Sequence, residues 1–188
     1  AVPMWGKLIE SLKQDLPETL RQETDDLKVA QLYKDSRGYK EYMEKIKESL
    51  MCGKISPNPI HYAILDLKPC HIITTNYDRL AEYACDQKKI HHYTGFTHGF
   101  FRQLATPDEL TCLRRVNIWK VHGSLDWFQS PLEDTVAISG TQEIPENYSP
   151  QIVTPGTQKY QKTHLEPFRS IINNADKAIN EAGSYLCI

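Results

Sequence analysis

Leucines at positions 8, 12 and 16 share one helical stripe, which predicts a short amphipathic helix over residues 5 to 16. Pro17 breaks it, since proline suits the first turn of a helix and not its interior. A charged helix follows to about residue 34. After Gly38, residues Tyr39, Tyr42, Met43, Ile46 and Leu50 return to helical spacing. Asn58 ahead of Pro59 marks one more helix start, with Asn58 as the cap.

The pattern then changes. His71-Ile72-Ile73-Thr74-Thr75 is β-branched and too short for a helix, so it reads as an interior strand, with a helix from Arg79 to Asp86 behind it. Residues 91 to 112 show no period and read as loop. Val116 to Val121 is a second strand, Thr135 to Ser139 a weaker third, and Ile152-Val153 a short piece within a Gly-, Pro- and Thr-rich segment from 140 to 163. Leu165, Phe168, Ile172, Ala175, Ile179 and Ala182 define a last helix, stopped at Gly183. The apolar run Tyr185 to Ile188 reads as a buried strand. Strands alternating with helices predict an α/β fold: a Rossmann-like parallel sheet with helices on both faces.

Composition narrows the function classes. The chain has 188 residues, 40% hydrophobic and 24% charged, with a net charge of -2. That gives no electrostatic footprint for nucleic acid or an anionic membrane. No stretch reaches the ~20 apolar residues needed to span a bilayer. Cys52, Cys70, Cys85, Cys112 and Cys187 are odd in number and form no C-x-x-C pair, so neither a disulfide framework nor a zinc ribbon is indicated. Scattered thiols of this kind fit a cytoplasmic protein. His91, His92, His98 and His164 match no common zinc spacing and read as loop or surface residues.

Ligands of open α/β sheets bind beyond the carboxyl ends of the strands. The strand ending at Thr75 delivers Asn76-Tyr77-Asp78, and the strand ending at Val121 delivers His122-Gly123-Ser124. Two polar clusters therefore share one predicted rim. Each also has a plain structural account. Asp78 can cap the following helix, Asn76 can satisfy a turn, and Gly123 can supply a positive φ. Trp119 reads as core, and Trp127 as core or pocket wall.

Thr74-Thr75-Asn76-Tyr77-Asp78 paired with Lys120-Val121-His122-Gly123-Ser124 resembles the motifs of the sirtuin-like NAD-hydrolase domains of bacterial antiphage defence proteins. Val2-Pro3-Met4-Trp5 resembles the stretch after that family's glycine-rich nucleotide loop. Ile152 to Gly156, with Lys159-Tyr160, resembles its segment beyond the histidine. The resemblance implies one sirtuin-like domain over residues 1–188 with a helical insertion at 17–68. It also implies a glycine-rich loop before residue 1 and a last nucleotide-binding loop after residue 188, both outside this chain. Its activity would be cleavage of NAD to nicotinamide and ADP-ribose, depleting NAD during defence.

By the same resemblance, Asn76 would hold the nicotinamide ribose and the attacking water, and His122 would act as general base. Asp78 would contact the nicotinamide amide. Pro3 and Trp5 would line a lid over NAD, and Ser124 would meet ribose or phosphate. Thr75 and Gly123 complete the implied NAD-binding set. NAD is a substrate here, and the chemistry asks for no metal. The family often assembles into homo-oligomers or carries a C-terminal sensor or effector domain. Protein-deacylating sirtuins carry a four-cysteine zinc module that this chain lacks. Deacylation and a non-catalytic NAD- or ADP-ribose-sensing module remain the alternatives.

Overall fold

The computed structural model describes residues 5–51, 56–96, 101–103, 115–138, 145, 147–154 and 159–188. The chain divides into two compact units, Ala1–Ser56 with Thr154–Tyr160 and Pro57–Val153 with Gln161–Ile188. The first unit holds helices α1 (Trp5–Asp15), α2 (Asp26–Arg37) and α3 (Tyr39–Met51), with a 3₁₀ turn at Glu18–Leu20. The predicted stripe of Leu8, Leu12 and Leu16 is buried together with Val29, Tyr33, Tyr42, Met43 and Ile46. Asp25 caps α2 by accepting from the Leu27 and Lys28 amides.

The second unit begins with α4 (Pro59–Asp66), capped as expected by Asn58, whose side chain accepts from the Ile60 and His61 amides. Two sheets follow. The first is parallel, in the order β1 (His71–Thr74), β4 (Val116–Lys120), β2 (His92–Tyr93). In it Ile72 pairs with Ile118 and Thr74 with Lys120. Helix α5 (Leu80–Gln87) follows β1. On one face of β4, Val116 and Ile118 pack with Leu65 of α4 and Ala84 and Cys85 of α5. On the other, Trp119 packs with Ile171, Ala175 and Ala178 of α7 (Phe168–Glu181). Helices cover both faces of the parallel sheet, as the alternation of elements predicted. A short α6 (Lys159–Thr163) precedes α7.

The second sheet is antiparallel, in the order β3 (Phe101–Gln103), β6 (Thr135–Ile138), β5 (Gly123–Gln129), β7 (Ser149–Ile152). Two of its strands, β3 and β5, lie where no strand was expected. The polar Ser124 and Asp126 alternate with Leu125 and Trp127, which hides β5 from any search for apolar runs. Asp126 is nevertheless buried, and it pairs with Arg79 at 3.4 Å. Trp127 is core, stacked obliquely on Phe96 with ring centroids 4.9 Å apart.

Four sequence expectations are corrected. The segment at 71–75 read as an interior strand, but β1 lies at the edge of the described parallel sheet with His71 and Ile73 exposed. Residues 91–112 read as loop, but they contain β2 and β3, whose ladders come from partners distant in the chain. Tyr185–Ile188 forms no strand, and Tyr185, Leu186 and Ile188 are exposed. An apolar run supplies side chains for a strand but not a ladder, and these residues pair with none of the described strands. The buried stripe of α7 is also turned from the expected one, to Phe168, Ile171, Ala175 and Ala178, leaving Leu165 and Ile179 exposed. Adjacent stripes both satisfy 3.6-residue spacing, and the stripe with alanines at 175 and 178 lets the helix approach the bulky Trp119.

Candidate active site

The register of β1 and β4 sets the geometry of the rim. Thr74 and Lys120 are the last paired residues, and the Val121 amide donates to Thr74 O at 3.1 Å. Asn76 and His122 each follow two residues beyond that closing pair, on adjacent parallel strands. Asn76 is exposed and His122 half-buried. The Asn76 amide donates to Thr74 Oγ1 at 3.1 Å, so the turn starts tightly at the strand end. Thr75 lies between them, exposed.

The loop carrying Asn76 is held mainly through Tyr77. Its carbonyl accepts from the Leu125 amide at 3.0 Å, and the hydroxyl of the buried Ser124 lies 3.4 Å away. The Tyr77 hydroxyl donates to Val153 O at 2.7 Å, and burial pushes its pKa up to about 12. It therefore stays a donor throughout the physiological range. The Val153 amide in turn donates to His122 O at 2.8 Å. The two motif loops are thus joined through β5 and the residue after β7.

Gly123 makes this crossing possible. Its φ is +90°, and a Cβ there would lie 2.4 Å from Gln151 O and 3.0 Å from the Ile152 Cα. Both the dihedral and the space demand glycine, so the turn itself accounts for Gly123. Asp78 has a structural role one residue ahead of the N-cap Arg79: its Oδ1 accepts the Leu80 amide at 2.9 Å at the start of α5. Ser124 is buried beneath the loop with its hydroxyl toward Tyr77 O.

Sequence reasoning missed the charged support of this loop. Lys120 is fully buried, and its Nζ lies 3.1 Å from Glu82 Oε1, itself buried on α5. The same Nζ donates to Asp78 O and lies 3.4 Å from Tyr77 O. Arg79 adds its pair with Asp126 and lies over the Tyr83 ring, 5.2 Å from the centroid. The available signal was period two in β4: Lys120 continues the face of Val116 and Ile118, which a lysine seldom does unless paired.

Trp5 opens α1 in the helical unit. Pro3, His98, Cys52, Cys112, Ser139 and Pro155-Gly156 lie outside the described residues. Among the described residues no group of three or more His, Cys, Asp or Glu is placed to hold a metal, and no helix is long and apolar enough to cross a membrane.

The profile of the SIR2-like domain family matches residues 70–172, from just before β1 to the middle of α7. The chain belongs to the SIR2-like domain family. The match includes the whole Asn76–Asp78 and Lys120–Ser124 rim and excludes helices α1 to α4. The chain is also similar to defense-associated sirtuin 2 of Bacillus subtilis, 32% identical over 87 residues. Those residues are 44% of this chain and 9% of the relative, so this SIR2-like chain corresponds to a small part of that protein's length.

Proposed function

We propose that this SIR2-like domain is an NAD glycohydrolase, with Asn76 and His122 as its catalytic pair. The observation that carries the reading is their equal advance beyond the closing Thr74–Lys120 pair of two adjacent parallel strands. Breaking the bond from ribose C1′ to the pyridinium nitrogen returns the bonding electrons to nicotinamide, which leaves neutral. Positive charge develops on the ribose. A carboxamide donates and accepts without adding charge, so Asn76 suits holding ribose hydroxyls and the incoming water. Water adds to C1′ as its proton passes to the His122 imidazole, the kind of side chain that most often serves as a general base. The products are nicotinamide, ADP-ribose and a proton.

Asp78, with Oδ1 engaged at the α5 cap, would orient the nicotinamide amide from the same loop. Thr75, Gly123 and Ser124 would shape the NAD-binding rim. The defence association in the name of the Bacillus subtilis relative supports a defence role, and antiphage defence by NAD depletion is the setting we propose for it. The test is release of free nicotinamide and ADP-ribose from NAD by the intact protein, with and without an acetylated peptide. His122→Ala and Asn76→Ala should each lower the rate by about a hundred- to ten-thousand-fold while the melting temperature holds. Full activity in His122→Ala refutes the assignment. Turnover strictly dependent on the peptide replaces hydrolysis with deacylation.

A further inference from the structure

We infer that Lys120 and Glu82 are positioning residues: a buried ion pair that fixes the backbone of the loop presenting Asn76. The kinetic part of this inference rests on the function proposed above, whereas its structural part does not. An ammonium group has three donors. Lys120 Nζ meets three acceptors, Glu82 Oε1 at 3.1 Å, Tyr77 O at 3.4 Å and Asp78 O. Two of the three are carbonyls of the loop itself. The third is a carboxylate from the first turn of the helix that the loop leads into. The loop is therefore clamped from below by one cation, at the two residues directly after Asn76.

Stability alone gives a poor account of the pair. Removing an ammonium and a carboxylate from water is expensive, and apolar residues of similar volume are often at least as stable in such a place. Lys120 is 0% and Glu82 2% exposed, so neither keeps its hydration. Glu82 Oε2 is buried and has no hydrogen-bond partner among the described residues, a further cost that a purely structural pair would shed. What apolar side chains cannot supply is a donor aimed at Tyr77 O and Asp78 O. These contacts tie the end of β4, two residues before His122, to the loop one and two residues after Asn76. The clamp thus couples the two halves of the proposed catalytic pair.

The experiment compares the intact protein with its Lys120→Met/Glu82→Met double variant. It reads melting temperature, amide hydrogen exchange of residues 76–80, and kcat and KM for nicotinamide release from NAD. The double variant should melt within a few degrees of the parent. Its loop amides should exchange at least about tenfold faster, while those of β4 and β5 keep their protection. Its kcat should fall about tenfold or more with KM changed less than about threefold, the mark of a misplaced catalytic group. Parental exchange in the loop, or parental kcat alongside a loosened loop, overturns the inference. If the parent itself releases no nicotinamide, the proposed function fails and the exchange result alone decides whether the clamp exists. Should the double variant not fold, the isosteric Glu82→Gln carries the same readings: faster loop exchange and lower kcat support the clamp, and parental values of both refute it.

Discussion

A single carboxylate, Asp78, tests the two kinds of role that a rim residue can have. Its Oδ1 accepts the Leu80 amide at the start of α5, and the function proposed above assigns the same side chain to the nicotinamide amide. The two roles separate in Asp78→Asn, which keeps a capping oxygen and removes the charge. This variant should melt within about 2 °C of the parent and lose about ten- to a hundredfold in nicotinamide release, the cost of a hydrogen bond to a charged group. Unchanged turnover would reduce Asp78 to a cap. Asp78→Ala should lose about 1 kcal/mol of stability in addition, because the Leu80 amide then has no side-chain acceptor. Thermal melting of the two variants side by side reads the difference.

Among the elements, β5 organises the site, because it runs directly out of His122 and lies under the Asn76 loop. Its first residue is the sensitive one. Gly123→Ala would drive a methyl to 2.4 Å from Gln151 O at a φ of +90°. Strain at the dihedral together with the displaced β7 should cost about 3 kcal/mol. Denaturant unfolding should show this loss, with nicotinamide release falling in the same variant because His122 moves. A fully stable Gly123→Ala would mean that β7 gives way freely. Asn58→Ala is the counterpart far from the rim. Losing the cap of α4 should cost about 1 kcal/mol and leave nicotinamide release unchanged at a temperature where the fold is intact. The β5 register was unreadable in the sequence because its inward polar residues meet partners distant in the chain, Asp126 an ion pair with Arg79 and Ser124 the carbonyl of Tyr77.

Among the described residues, two histidines should make stability depend on pH. Partial desolvation holds His71 below the usual histidine range, with Glu181 opposing it, and burial lowers His92 against the opposing Asp86. The Trp119 indole N–H donates to His71 Nδ1 at 3.1 Å, which requires a lone pair on that nitrogen. Both groups are favoured neutral in the fold and take up protons more readily when unfolded. Their contribution is therefore complete above about pH 6.5, the ordinary histidine value, and is lost as pH falls below it. Melting temperature should drop on acidification from about pH 7.5 to 5.5. The drop should shrink in His71→Gln, whose side-chain oxygen can still accept from Trp119. An equal drop in that variant would remove His71 from the account.

The helices, the parallel strands β1 and β4, and the rim where both end were legible in the sequence, because each is encoded locally. Leu8, Leu12 and Leu16 repeat with the helix, Ile72-Ile73-Thr74 favour an extended backbone, and a parallel sheet opens its ligand edge where its strands end. The tertiary structure alone decided which of two adjacent stripes α7 buries and that Tyr185–Ile188 stays outside the sheet. It alone also revealed that Ser124 and Asp126 are inward-facing residues of a second sheet. Hydrophobic period identifies a face only to within a neighbouring stripe, and it cannot see a polar residue whose partner comes from elsewhere in the chain. Lys120 shows the limit most clearly. In sequence it is one more charge before His122; in the fold it is buried, because Glu82 and the carbonyls of Tyr77 and Asp78 supply its three acceptors.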